Sequence, residues 1–258
     1  MLLRYPGGKS RGQLAIQILD LIEQRFAFGR FGELFFGGGG ITFGLLKRGV
    51  IQELVLNELD SSLADLWTRV IQHPKGLSRR VKDFEPSVDQ FVKRRDKILA
   101  GDGDGFDSLV VNRLSHAGRG VMAGPQGGYE QQGKYKIDCR WNAEKLIERI
   151  FECHHLFKSV KILGNKCFDR SYKAFVDSCD FLYLDPPYWE IGQQMYHFSF
   201  CLEEHQELFD CLKGRKNWVL SYNNHPEVVQ LYNRYHMITT STSGNGGQKK
   251  NSEVIIYA

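Results

Sequence analysis

Leu14, Ile18, Ile22 and Phe26 recur at four-residue spacing behind Ser10 and Gln13, which predicts an amphipathic helix over residues 10–26 with Ser10 as its cap. Phe31–Phe36 is a short apolar run interrupted by Glu33, and it leads directly into Gly37–Gly40. Ile41–Arg48 then has helical character and stops at Gly49, so this stretch reads as strand, glycine turn, helix. Leu54–Leu56 resumes as a strand, with Asn57-Glu58-Leu59-Asp60 at its end. Further strands are expected at Val160–Leu163, Phe181–Leu184 and Asn217–Ser221. Tyr235–Thr240 and Glu253–Ala258 add a terminal antiparallel pair around a polar loop, and helices are expected near 172–177, 202–212 and 225–233. Alternating strands and helices predict an α/β fold with a doubly wound, mostly parallel sheet.

The pattern changes from Ser62 to about Phe157, where helical segments such as Leu63–His73 and Ala143–Phe151 alternate with polar and basic intervals. Gly-rich residues 118–133 lie among them, flanked by segments able to pair as a hairpin. Residues 62–157 therefore read as an inserted helical domain, with 1–61 and 158–258 forming the main one.

Composition narrows the class. Hydrophobic residues make up 42% of the chain and charged residues 25%, which is ordinary for a globular protein of 258 residues. No apolar run approaches a membrane span, and Met1–Arg4 leads into Pro-Gly-Gly-Lys instead of a signal-peptide core, so a cytoplasmic protein with no membrane partner is expected. The six cysteines are scattered, with no Cys-x-x-Cys pair, and His154 and His155 are adjacent, so no metal is expected. Net charge is only +4, but Lys82, Lys93, Arg94, Arg95, Lys97, Arg113, Arg119, Lys134, Lys136 and Arg140 fall in or at the border of the middle third. They read either as a solvated helical surface or as a face that tracks phosphates.

Asp185-Pro186-Pro187-Tyr188 follows the apolar strand Phe181–Leu184, at the strand end where open α/β sheets place ligands. Two prolines stiffen the loop and remove two backbone donors, leaving carbonyls free to accept. With the Asp185 carboxylate and the Tyr188 ring, the loop suits a planar base bearing an exocyclic amino group, adenine or cytosine. The glycine turn permits close approach of a ligand to the backbone, and the helix after it offers N–H groups to an anion such as a carboxylate. Glu58, about twenty residues beyond the turn, stands where an acid commonly bonds a ribose.

Taken together, the Gly-Gly-Lys segment ending at Lys9, Glu33–Gly40, Asn57–Asp60, Asp185–Tyr188 and Ser221-Tyr222-Asn223 occur in the order of the Dam-type (D12 class, α-group) DNA adenine-N6 methyltransferases, which the chain resembles over nearly its whole length. The resemblance implies a seven-stranded methyltransferase sheet, S-adenosylmethionine as cofactor and methyl transfer to N6 of a flipped adenine by direct in-line attack. Tyr5 and Lys9 would line the cofactor pocket, Phe36, Gly37 and Gly39 would cradle its methionine end, Glu58 would bond its ribose, and Asp169 would lie near its adenine. Glu58 replaces the aspartate common at that position and keeps its carboxylate. Asp185 would face both the cofactor and the base. Asp185 and the Pro186 carbonyl would accept the two N6 hydrogens, Pro187 would stiffen the loop and Tyr188 would stack the base; the Trp189–His197 segment would close over it.

By the same resemblance, residues 62–157 form the target-recognition domain for double-stranded DNA. Asn112 and Arg113 open its DNA-contacting hairpin, Arg119 would read guanine or hold a phosphate, and Tyr129, Lys134 and Lys136 are further contacts. Ala117–Met122 departs from the Asn-Gly pair of GATC-specific members, so GATC specificity is not carried over. An RNA adenine methyltransferase or a catalytically silent nucleic-acid-binding module would share the fold. Asp185, where cytosine-N4 enzymes carry Ser and protein-glutamine enzymes Asn, favours adenine in DNA. A monomer or weak dimer is expected.

Overall fold

The computed structural model describes residues 1–4, 8–27, 29–167, 172–189, 200–241 and 252–258. Helix α1 (Gln13–Arg25) buries Leu14, Ala15, Ile18 and Ile22, the stripe expected from the spacing. It begins three residues later than the sequence suggests: Gly12 stands at the cap, and no side chain caps the helix. The cause is tertiary. The main chain at Lys9 and Ser10 packs against Gly40, where a Cβ would come within 2.8 Å of the Lys9 backbone, which holds Ser10 outside the helix.

Strand β1 (Arg30–Glu33) leads into α2 (Gly40–Lys47), and β2 (Glu53–Glu58) into five helices: α3 (Ser61–Gln72), α4 (Pro74–Lys82), α5 (Val88–Leu99), α6 (Gly105–Leu114) and α7 (Ala143–Lys158). The chain then runs through β3 (Lys161–Cys167), α8 (Tyr172–Asp177), β4 (Phe181–Leu184), α9 (Leu202–Leu212), β5 (Trp218–Asn223), α10 (Pro226–Leu231), β6 (His236–Ser241) and β7 (Ser252–Tyr257). The seven strands lie in the order β3-β2-β1-β4-β5-β7-β6. The first five are parallel, and β7 runs antiparallel to both neighbours. The sheet is thus the doubly wound, mostly parallel one predicted, closed by the terminal antiparallel pair.

Strand alternation divides the core into two layers. Phe181, Tyr183, Val219 and Ile255 join a cluster with α1, α2 and the helices between β2 and β3. Leu182, Leu184, Leu220 and Ile256 join another with α8, α9 and α10, as the two-residue period of a strand requires. All four residues of β4 are buried, the mark of a parallel strand covered on both faces. Chain direction across the sheet reverses between β1 and β4, which pair as Phe31↔Phe181, Gly32↔Leu182 and Glu33↔Tyr183. That reversal opens a crevice at the strands' carboxyl ends.

The hairpin expected around residues 118–133 is absent among the described residues. One bridge, Ser115↔Pro125, stands in its place, with short 3-10 turns at His116–Gly118, Gly120–Met122 and Ile137–Arg140. Glycines and polar side chains bind this stretch locally: Ser115 Oγ accepts from the Gly120 amide at 2.9 Å, and Gln131 Nε2 donates to the Gln126 carbonyl at 2.9 Å. Such bonds compete with a strand ladder for the same backbone groups.

Candidate active site

The crevice between β1 and β4 is built first by the glycine turn. Gly37 and Gly39 adopt φ of +48° and +63°. A Cβ on Gly39 would also lie 2.5 Å from the Phe36 ring, so geometry and space both demand glycine there. The Gly39 amide donates to the Phe36 carbonyl at 2.7 Å, and Trp67 Nε1 donates to the Gly37 carbonyl at 2.9 Å. Phe36 is 2% exposed and packs on Phe43, Trp67 and Phe157 with centroids 5.1 to 6.2 Å away. The turn rests on an aromatic floor that α3 and α7 complete.

Two carboxylates brace the turn. Glu58 accepts from the Gly37 amide at 2.7 Å and from the Asp60 amide at 3.0 Å, tying the end of β2 to the turn after β1. Glu33, 3% exposed, accepts from the Thr42 amide at 3.2 Å and from the Thr42 hydroxyl. The start of α2 is therefore capped by a carboxyl that the chain itself supplies. Burial pushes the Glu33 carboxyl up to about 8 and the Glu58 carboxyl up to about 7, against an ordinary 4.5.

Those shifts set a sign for stability. Between about pH 5 and 8 the folded protein retains protons that the unfolded chain has released, so stability falls as pH rises through that window. Glu33→Gln, a neutral mimic, is expected to flatten the slope. Urea unfolding at both ends of the window checks this, and an unchanged slope in the variant contradicts it.

Lys9, Asp185, Tyr188 and Glu253 meet across the crevice. The Lys9 side chain is 5% exposed; its ammonium lies 3.1 and 3.2 Å from the two Asp185 oxygens, 2.6 Å from the Tyr188 hydroxyl and 3.5 Å from Glu253 Oε2. It also lies 5.0 Å from the centre of the Tyr188 ring. Burial alone would pull the ammonium down, yet Asp185 and, behind it, Glu253 hold it above its ordinary value. Asp185 Oδ1 accepts a second bond from Ser221 Oγ at 2.8 Å, and the Tyr183 hydroxyl backs Ser221 at 2.9 Å. Asn223 grips the next residue on both sides: its Oδ1 accepts from the Trp189 amide at 3.0 Å, and its Nδ2 donates to the Trp189 carbonyl at 3.2 Å. Ser221 and Asn223, two apart on β5, thus orient the Asp185–Tyr188 loop from one side of that strand.

Lys9, Glu33, Phe36, the Gly37–Gly40 turn, Glu58, Asp185 and Pro187 line one cavity. In the same loop Pro186 is buried and Tyr188 half-buried. Tyr5, Asp169 and the 190–197 segment lie outside the described residues. Neither Glu33 nor Glu253 stands out as a site residue in the sequence. Glu33 shows only as a polar break in an apolar strand, and nothing near Glu253 in the chain points to a partner at Lys9.

The residues expected at a DNA surface separate into two groups. Asn112 is 7% exposed; its Oδ1 accepts from the Arg4 amide at 2.9 Å, and its Nδ2 donates to the Arg4 and Gly118 carbonyls at 2.8 and 3.2 Å. It is a clamp between α6 and the N-terminal segment, with its amide occupied. Arg113 is half-buried and donates to the Met1 carbonyl at 3.2 Å; burial, with Arg4 and Arg140 nearby, pushes it down to about 10. Arg119 is half-buried. Tyr129, Lys134 and Lys136 are exposed, with the Tyr129 hydroxyl accepting from Arg95 at 2.8 Å and Lys136 donating to the Gln131 carbonyl. The basic middle third is not one face. Arg94 is drawn inward onto the buried Asp107 and the Phe84 and Phe106 rings, and Arg80 pairs with Asp104.

Among the described residues no His, Cys, Asp and Glu group is arranged to hold a metal ion, and no helix is long and apolar enough to cross a membrane.

Residues 5–243 match the D12 class N6 adenine-specific DNA methyltransferase family. The Type II methyltransferase M1.LlaDCHI of Lactococcus lactis subsp. cremoris is 25% identical over 270 aligned residues, covering 96% of this chain and 90% of its own. The Type II methyltransferase M.CviBI of Paramecium bursaria Chlorella virus NC1A is 32% identical over 207 residues, covering 78% of this chain and 75% of its own. Among solved structures, the rRNA methyltransferase aviRa from Streptomyces viridochromogenes is similar over 99% of this chain and 88% of its own, with a TM-score of 0.44 and 14% identity. Because the family match runs from the segment before Lys9, through the glycine turn and the Asp185 loop, to the end of β6, the chain belongs to the D12 class of N6 adenine-specific DNA methyltransferases.

Proposed function

We propose that the protein is a site-specific methyltransferase that uses S-adenosylmethionine to methylate N6 of an adenine flipped out of duplex DNA. The observation that carries this reading is the single cavity shared by the Asp185–Tyr188 loop and the glycine turn braced by Glu58.

The cavity's chemistry fits the cofactor. Glu33, Glu58, Asp60 and Asp185 line it with Lys9 as the lysine among them, and the raised Glu33 and Glu58 carboxyls suit a ligand that brings positive charge. Gly37 and Gly39 admit its methionine end beside Phe36, and Glu58 accepts from its ribose hydroxyls. When bound, the cofactor supplies a methyl group on positively charged sulfur.

The chain's own part is alignment. Asp185 and the Pro186 carbonyl accept the two N6 hydrogens, which draws electron density onto a nitrogen otherwise conjugated into the ring. Tyr188 stacks the base, and Ser221 and Asn223 hold the loop so that N6 faces the cofactor side of the cavity. Placement and preorganised acceptors are the main catalytic terms. Flipping follows from geometry, because an amino group inside a duplex cannot reach a buried donor.

We assign target recognition to residues 62–157. Arg113 and Arg119 serve phosphates or a guanine edge, Tyr129, Lys134 and Lys136 serve the exposed flank, and Asn112 holds the Arg4 and Gly118 main chain in register without itself touching DNA. The Type II relatives favour a modification enzyme that marks one recognition sequence.

Incubating unmethylated genomic DNA with the protein and labelled cofactor, then mapping N6-methyladenine, should yield one short sequence context. Label confined to RNA, or tight DNA binding with no methyl transfer, would sink the reading. DNA affinity should also fall steeply with salt, log K dropping by roughly 0.9 per phosphate contacted for each unit of log salt; a salt-independent affinity contradicts phosphate contact.

A further inference from the structure

Asp185 is crowded. To accept a hydrogen from N6 it must present a lone pair, yet three of the roughly four acceptor positions on its two oxygens are taken, two by the Lys9 ammonium at 3.1 and 3.2 Å and one by Ser221 on Oδ1. Lys9 cannot simply withdraw, because a buried ammonium without a counter-ion is prohibitively unfavourable. Glu253, on β7, offers the alternative. Its Oε2 is buried, lies 3.5 Å from the ammonium and receives no hydrogen bond of good geometry, so it holds acceptor capacity in reserve.

Three features bring the second carboxylate within reach as a host. Both Asp185 contacts exceed the roughly 2.7–2.9 Å of a strong charge-assisted bond, so Lys9 is not seated tightly on Asp185. Coulomb attraction scales as 1/r, so contacts at 3.1 and 3.5 Å differ by only about an eighth at equal dielectric. The Tyr188 hydroxyl, 2.6 Å from Lys9, also hydrogen-bonds Glu253 and so links the ammonium to the second carboxylate.

Resting on the function proposed above, the geometry points to a handover: when the target adenine docks, the Lys9 ammonium shifts from Asp185 onto Glu253, releasing an Asp185 lone pair for N6 while the buried charge stays paired. Glu253 is a positioning residue. It touches neither base nor cofactor and acts through Lys9.

The test compares Glu253→Gln with the unaltered protein on two duplexes carrying the recognition sequence, one with adenine at the target and one with 2-aminopurine, which lacks the 6-amino group. Without a charged host at 253, Lys9 stays on Asp185. Affinity for the adenine duplex should fall about tenfold or more, the scale of one buried charge-assisted contact, with a matching fall in kcat. Affinity for the 2-aminopurine duplex and for the cofactor should hold within about twofold, and Glu253→Asp should recover most of the adenine-specific loss. Equal losses on both duplexes, or none on either, overturn the handover. In the unaltered protein, the Lys9 Nζ resonance should move on binding the adenine duplex and not the 2-aminopurine one. This measurement decides the matter even if Glu253→Gln fails to fold, and a resonance that ignores the 6-amino group overturns the proposal. Failure of the functional reading looks different: the unaltered protein would methylate neither genomic DNA nor the adenine duplex.

Discussion

Asp185→Ala is expected to lower the single-turnover rate of methyl transfer on the order of 10³-fold while leaving cofactor affinity within a few-fold of the unaltered protein. The rate estimate follows the effect of deleting one preorganised polar group at a reacting centre. Asp185 is the carboxylate that Ser221 and Lys9 hold at the end of β4, and no other side chain among the described residues is braced to replace it there. The cofactor end should survive because the glycine turn is tied to Glu58, on a different strand. The fold should also survive, since Lys9 keeps Glu253 as counter-ion. Asp185→Asn makes the sharper control: it keeps volume and one acceptor but presents an amide N–H group to Lys9 and Ser221. Labelling of DNA by Asp185→Ala at the unaltered rate would refute the mechanism outright.

Lys9→Met should have the largest effect on stability. It fills the space but leaves Asp185 and Glu253, 22% and 12% exposed, without the cation between them. Removing one partner of a buried ion pair typically costs about 3–5 kcal/mol, which for a chain of this size corresponds to a fall in Tm on the order of 10 °C. The sign with pH is defined. Burial and the Asp185 charge raise the Glu253 carboxyl and Lys9 lowers it, so without Lys9 the folded state keeps a proton on Glu253 that the unfolded chain releases, and stability declines as pH rises. The deficit should therefore be greatest near neutral pH and shrink toward about pH 5. Urea unfolding of both proteins across that range checks it. A loss independent of pH would mean that Lys9 matters for packing and not for charge.

Residue pattern foretold much of the fold. The four-residue spacing in α1 and the buried run of β4 are statements about which faces meet the core, and local chemistry suffices to make them. The helix start did not follow from local chemistry. Ser10 satisfies a capping pattern, but Gly40 packs on its backbone and the helix begins at Gln13. The expected hairpin failed for a related reason: glycine-rich residues 118–133 satisfy their backbone through nearby turns and side chains, and periodicity does not register such bonds. Asn112 shows the limit for function. Its motif position suggests a DNA contact, and only the structure reveals that its amide is spent on Arg4 and Gly118.

By itself the sequence determined the kinds of chemistry available: a glycine turn that tolerates positive φ, an acid after the next strand, a proline-stiffened Asp and Tyr, and a lysine near the start. These are properties of residue types and short spacings, so they are legible in one dimension. Tertiary structure alone decided which groups share the site. Lys9 and Asp185 are 176 residues apart, and Glu253 reaches them only because β7 inserts antiparallel beside β5. Charge pairing depends on distance in space and on burial, and strand order sets both.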